Sequence, residues 1–199
     1  MSSLCLEYGW GYLLGGMSGT HRVQGEMESR MLDIGEEADE ESLRMQCAKE
    51  LYEMFHSILL VRPREWRVLL VEPMLVPSRT RQVLMSVLLD TFKVQGVCMQ
   101  PNMHMSMLAS GLSSGVMVVI GKEESMAMAF EDGRPVLASL KTSPLGMMWM
   151  EHAFSAEVQN AWGVSVTNES SSSLLHEHRL NANTSTSVCF KILIIHPFK

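Results

Sequence analysis

Residues 67–84 read RVLLVEPMLVPSRTRQVL, and this stretch constrains the fold more than any other. The apolar run inside RVLLVE has strand length and no polar alternation, as in a strand covered on both faces. The proline-bounded corner VEPMLVPS ends it. Pro77 suits the first turn of a helix, where its missing N–H would have had no partner, and Ser78 follows in that turn. Val83, Leu84, Val87, Leu88 and Phe92 then recur at helical spacing to about residue 93. A strand passing through a corner into a helix predicts a layered α/β architecture.

The flanking sequence extends that pattern. Over residues 39–60, Leu43, Cys47, Leu51, Met54, Phe55, Ile58 and Leu59 fall on one helical face. EEADEE places negative charge where this helix begins, and Pro63 lies past its end. VQGVCM, 94–99, predicts a second strand, and Pro101 opens a third helix through NMHMSMLA that Gly111 closes. VMVVI and SMAMAF predict two further strands, and EDG at 131–133 turns the second back into RPVLASL. The alternation implies a largely parallel sheet with right-handed crossovers. The change to a hairpin after Gly111 implies that a second sheet begins there. The expected domains are residues 1–111, 112–154 and a low-complexity or disordered tail, 155–199. Within the first, a hairpin at 5–19 and a variable surface connection at 20–38 precede the helix and strand core at 39–111. The tail is rich in Ser, Asn and Thr, and its closing VCFKILII reads as an edge strand or an exposed end.

Composition narrows the function. Net charge is −6 and the Lys and Arg residues form no run, which disfavours nucleic acid as a partner. Apolar runs fall short of the roughly 20 residues of a membrane helix, and the N-terminus lacks the basic region of a signal peptide. Cys5, Cys47, Cys98 and Cys189 show no metal or disulfide spacing and read as reduced thiols. The 18 methionines fit either irregular core packing or an adaptable interface.

Laid out in order, residues 50–154 resemble the actin family, nearest to its divergent branch at the pointed end of the dynactin complex. The resemblance rests on ELYEMFHSILLVRPREWRV, the corner VLLVEPMLVPSRTRQVL, LLDTFKV, MQPNMHMSMLASG, VMVVIGKEESMAMAFEDGRPVL and SPLG. Glu72, Pro77 and Arg81 fall on the family pattern E-x-x-L-x-P-x-x-x-R, and Gly133 falls on its YEG turn. The fold so implied is the actin-like ATPase, or ribonuclease H-like, fold: its first lobe and the beginning of its second. The segment EYGWGYLLGGMSG is similar to the family's first phosphate-binding hairpin, with Gly9, Gly16 and Gly19 matching and Glu7 replacing the Asp. Glycines at such points let backbone amides approach a phosphate.

What the resemblance implies for chemistry is reduced. The family's second hairpin reads D-x-G-D-G, whereas VIGKE stands here, with Gly121 matching and Val119 replacing the Asp that holds the metal's water shell. Asn102 stands near the glutamine that positions the attacking water. Weak or absent nucleotide binding and no cofactor are therefore expected, with remnants of an ATP and Mg site at Glu7, Gly9, Gly16, Gly19, Asn102 and Gly121 and no catalytic or metal-ligating residue assigned. Lys122 reads as a solvated charge, His104 as a packed histidine and His176 with His178 as a surface pair. Asn168 and Asn183 read as unmodified sequons. The implied protein is a non-enzymatic, cytoplasmic cytoskeletal subunit assembling with other actin-related or dynactin-type subunits in microtubule-based transport. The alternatives are a nucleotide-binding actin-like ATPase, or an incomplete gene product, since complete members are much longer and nothing after Phe154 resembles the rest of the second lobe.

Overall fold

The computed structural model describes residues 3–32, 39–162 and 190–194, within two compact units, Met1–Ala109 and Ser110–Lys199. The first unit holds strands β1 (Ser3–Gly9), β2 (Tyr12–Met17), β3 (Gly25–Met27), β4 (Arg67–Glu72) and β5 (Gly96–Pro101). They form one sheet in the order β3-β2-β1-β4-β5. β1, β4 and β5 run parallel, while β1, β2 and β3 make an antiparallel meander.

Helix α1 (Glu40–Glu53) precedes β4, α2 (Ser78–Ser86) links β4 to β5, and α3 (Asn102–Ala109) follows β5. Asp39 caps α1 by accepting the Ser42 backbone N–H at 3.1 Å. Leu4, Leu6 and Tyr8 of β1 alternate into one core with Val68 and Leu70 of β4, Leu43, Cys47 and Leu51 of α1, and Val83 and Leu84 of α2. Each fully buried leucine contributes about 1.5–3 kcal/mol, so this interior dominates the unit's stability.

Several boundaries differ from the sequence reading, each for a local reason. Pro77 is the residue before α2 rather than in its first turn, and its carbonyl accepts the Arg81 N–H at 3.2 Å. Both α1 and α2 pass into π turns, Met54–Ile58 and Val87–Thr91, and then into left-handed residues, Leu60 and Lys93, each at φ 53°. After that reversal Val94 N–H returns to the Leu88 carbonyl, so β5 starts at Gly96 and ends at Pro101. The connection at 20–38 is not wholly surface. It contributes β3, and Ser29, Met31 and Leu32 are buried, anchored where Glu50 Oε1 accepts the Arg30 N–H at 2.8 Å.

The second unit is antiparallel among its described residues. β6 (Gly115–Ile120), β7 (Ser125–Glu131), β8 (Arg134–Pro135) and β10 (Phe190–Ile194) order as β10-β6-β7-β8, and β9 (Lys141–Ser143) also pairs with β7. Asp132 and Gly133, at φ 48° and 74°, form the tight turn that EDG predicts. RPVLASL is not one strand. Pro135 cannot donate to the ladder, and a 3-10 turn at Leu137–Ser139 carries the chain outward until Ser139 Oγ accepts the Ala129 N–H at 2.8 Å. Met117, Val119, Met126, Met128 and Phe130 are buried, and the alternation of β6 and β7 sets them on one face. Helix α4 (Met147–Trp162) continues through residues assigned to the tail; its apolar MMWM start and the absence of Gly or Pro within it favour the helix.

Candidate functional site

The carboxyl ends of β1, β4 and β5 are where a parallel sheet of this kind presents ligand groups. There the corner is held by an ion pair. Glu72, 4% exposed, accepts Arg81 Nε at 3.0 Å on Oε2 and Arg81 Nη2 at 2.9 Å on Oε1. Tyr8 donates its hydroxyl to the same Oε2 at 3.3 Å. Burial pushes the Tyr8 phenol well above its ordinary value, and the Glu72 carboxylate beside it adds to the shift. Tyr8 and Arg81, which meet Glu72, both lie within the fold, so this constellation joins β1, β4 and α2. Tyr8 is absent from the sequence reading, which had no signal that residue 8 meets residue 72.

The first hairpin separates its glycines. Gly9 pairs with Tyr12 at the turn, and Gly16 pairs with Cys5 farther along the strands, a separation of about 13 Å at strand rise. Gly19, at φ 90°, is an exposed turn residue. Glu7, Gly16 and Gly19 do line one cavity of about 360 Å³, together with Cys5, Leu14 and Arg22. The positive φ at the hairpin turn belongs to Gly11. A Cβ placed on Gly9 would lie 2.3 Å from Tyr12 Cε1 and 2.4 Å from Cζ, so the ring rests on the glycine surface. Tyr12 also donates its hydroxyl to Glu7 Oε1 at 3.3 Å. Tyr12 was missed in the sequence, although its place just beyond the short turn after Gly9 was a usable signal.

Asn102 begins α3 directly after Pro101, which pairs with Glu72. It is 5% exposed, and its Oδ1 has no hydrogen-bond partner in the structure. An orphaned buried acceptor is costly unless something donates to it. Of the site residues named from sequence, Asn102 alone has this property among the described side chains.

In the second unit, Val119 is 5% exposed on the apolar face of β6. The following turn is closed on itself: Gly121 N–H meets the Glu124 carbonyl at 2.8 Å. The Gly121 and Lys122 carbonyls accept the Met147 and Met148 N–H groups at 2.9 Å, tying the turn to the start of α4. A Cβ on Gly146 would lie 2.4 Å from the Glu123 carbonyl carbon, so only glycine allows that approach. The Lys122 side chain is exposed.

The resemblance expects an open glycine at Gly9 in the first unit and, in the second unit, a carboxylate where Val119 stands. The ring of Tyr12 lies over the Cα face of Gly9, and an alkyl group in an apolar core stands at Val119. The residues present do not fit a metal-bound phosphate. Among the described residues no cluster of three or more His, Cys, Asp or Glu is arranged to hold a metal ion. His104 is half-buried; His176, His178, Asn168, Asn183 and Cys189 lie outside the described residues. No described helix is long and apolar enough to cross a membrane.

Comparison with known proteins adds an independent line. The family model described as Actin matches residues 45–185. The match extends beyond Phe154, where the sequence reading sees no counterpart. The hairpin at 5–19 lies outside it. A bovine (Bos taurus) protein, actin-like protein 7A, is 29% identical over 83 residues, which are 42% of this chain and 19% of that protein. Actin-related protein 4 of Oryza sativa subsp. indica is 27% identical over 92 residues, 46% of this chain and 21% of that protein. The matched stretch thus spans about a fifth of the length of these curated relatives.

Proposed function

Because this chain belongs to the actin family, we propose that it acts as a non-enzymatic actin-related subunit of a cytoskeletal assembly. Its specific setting is a cytoplasmic dynactin-type complex supporting microtubule-based transport, with other actin-related or dynactin-type subunits as partners. The fold is actin-like α/β over the part of the family this chain spans. The observation that carries the reading is Val119, buried at 5% exposure where the family's phosphate-side carboxylate belongs. An alkyl group neither accepts a hydrogen bond from a metal's water shell nor offsets its charge. A carboxylate enclosed there would itself bear a heavy desolvation penalty.

The test has two arms. Titration calorimetry with MgATP should give no heat up to millimolar nucleotide, and micromolar affinity would overturn the non-enzymatic reading. Reconstitution with purified pointed-end dynactin subunits should yield a stable complex by native mass spectrometry; failure to join it removes the dynactin assignment while leaving the family intact. The second reading, a nucleotide-binding actin-like ATPase, draws on one observation, the unpartnered Oδ1 of Asn102, an acceptor placed to bind a water. The calorimetric arm decides between the two.

A further inference from the structure

We infer that Tyr12 is the built-in occupant of the first hairpin, filling with its own ring and hydroxyl the place where a phosphate would lie. The inference rests on the non-enzymatic reading and adds to it the side chain that closes the site. Glu7 and Gly9 alternate onto the same face of β1, and the Tyr12 ring reaches both from the opposite strand. Toward Gly9 it lies so close that a Cβ there would stand 2.6 Å from the phenolic oxygen itself. Toward Glu7 it ends in the hydroxyl hydrogen bond to Oε1. A hairpin glycine admits an anion because its Cα face is bare. Here that face carries an aromatic ring, and an anion must displace the ring before it reaches the amides of the turn.

The two contacts have separable effects. The ring excludes by volume, and the hydroxyl engages a carboxylate oxygen that a magnesium-bound water would otherwise use. Covering a strand glycine with a cross-strand aromatic also stabilises the pair, so the same side chain supports the hairpin and closes it. Removing the hydroxyl alone therefore leaves the hairpin closed, whereas removing the ring opens it.

The experiment uses the full chain as wild type, Tyr12→Phe, Tyr12→Ser and Tyr12→Val, with magnesium pyrophosphate as the probe. The readouts are the backbone amide shifts of Gly9, Trp10 and Gly11, and calorimetry. Wild type and Tyr12→Phe should show no shift at these amides up to millimolar pyrophosphate. Tyr12→Ser should show saturable shifts and at least tenfold tighter binding than wild type. Tyr12→Val keeps a β-branched strand residue but lacks the ring's reach, so it provides the same test should Tyr12→Ser not fold. If folded Tyr12→Ser or Tyr12→Val gains nothing, or Tyr12→Phe gains as much as they do, the ring is not the closing element and the inference fails. Its failure is separate from that of the non-enzymatic reading, which is judged on wild type with MgATP.

Discussion

At the scale of single residues, the Glu72–Arg81 pair predicts an asymmetry. Glu72 is enclosed, while the Arg81 side chain is 42% exposed, so the partner left behind fares differently in each case. Arg81→Met strands a buried carboxylate next to Tyr8 and should lower stability by about 2–4 kcal/mol. Glu72→Gln leaves a guanidinium that water reaches and should cost about 1 kcal/mol. Urea denaturation of both variants checks the order, and equal losses would refute it. Alkaline pH supplies a second test. Burial, with Glu50 nearby, pushes the Cys47 thiol up to about 12, and burial beside Glu72 raises the Tyr8 phenol further. Both groups keep their protons in the folded state at pH values where the unfolded chain has lost them. Their contribution is therefore complete below about pH 8.5 and declines as pH rises. Stability measured by chemical denaturation should fall by up to about 1.4 kcal/mol per pH unit for each group. Tyr8→Phe should remove the steeper part of that fall above about pH 10. The sequence placed Glu72 and Arg81 together at the corner, but the Tyr8 partnership was not legible, because Tyr8 and Glu72 meet through parallel pairing of distant segments.

The structural elements carry a repetition that the sequence conceals. Each of the two long helical segments of the first unit closes through a π turn and a left-handed non-glycine residue. Val61 N–H then returns to Phe55, and Val94 N–H to Leu88. The sequences MFHSILLV and VLLDTFKV share a terminal valine and little else, so no repeat is visible by residue type. Left-handed backbone costs an L-residue roughly 1–2 kcal/mol, and Leu60 is 78% exposed and adds little packing. Leu60→Gly and Lys93→Gly should each raise stability by about 0.5–1 kcal/mol, after the extra chain entropy of glycine is subtracted. Thermal unfolding checks this, and a loss at both sites would mean that their side chains do more than occupy a turn. Apolar spacing read correctly which face of α1 is buried. Periodicity does not, however, say where a helix widens, since the π turn alters the hydrogen-bond ring while keeping apolar residues near their period.

For the whole molecule, the methionine question has a definite answer among the described residues. Met54, Met103, Met107, Met117 and Met128 are at most 1% exposed, whereas Met45, Met148 and Met150 are 40% or more exposed. Most of the conspicuous Met-rich stretches thus pack the interiors of both units. Brief peroxide treatment of the native protein, read by peptide mass spectrometry, should oxidise the exposed group at least tenfold faster than the buried one. Comparable rates would mean that the interiors open readily. Val119→Asp tests the second unit's interior directly. It should destabilise the protein by about 3 kcal/mol or more and still fail to bind magnesium, because the surrounding face is apolar.

Local pattern by itself determined the α/β class, the buried face of α1, the strand at the corner, the Asp132–Gly133 turn and the family resemblance. The resemblance depends on the order of motifs over residues 50–154; the others depend on residues near one another in the chain, where spacing and backbone preference act directly. Tertiary structure decided that Tyr8 joins Glu72 and Arg81 at the corner, that Gly9 lies beneath Tyr12, and that Val119 belongs to a core. These outcomes depend on which strands pair and in what register, and a shift of one residue would turn every side chain to the opposite face.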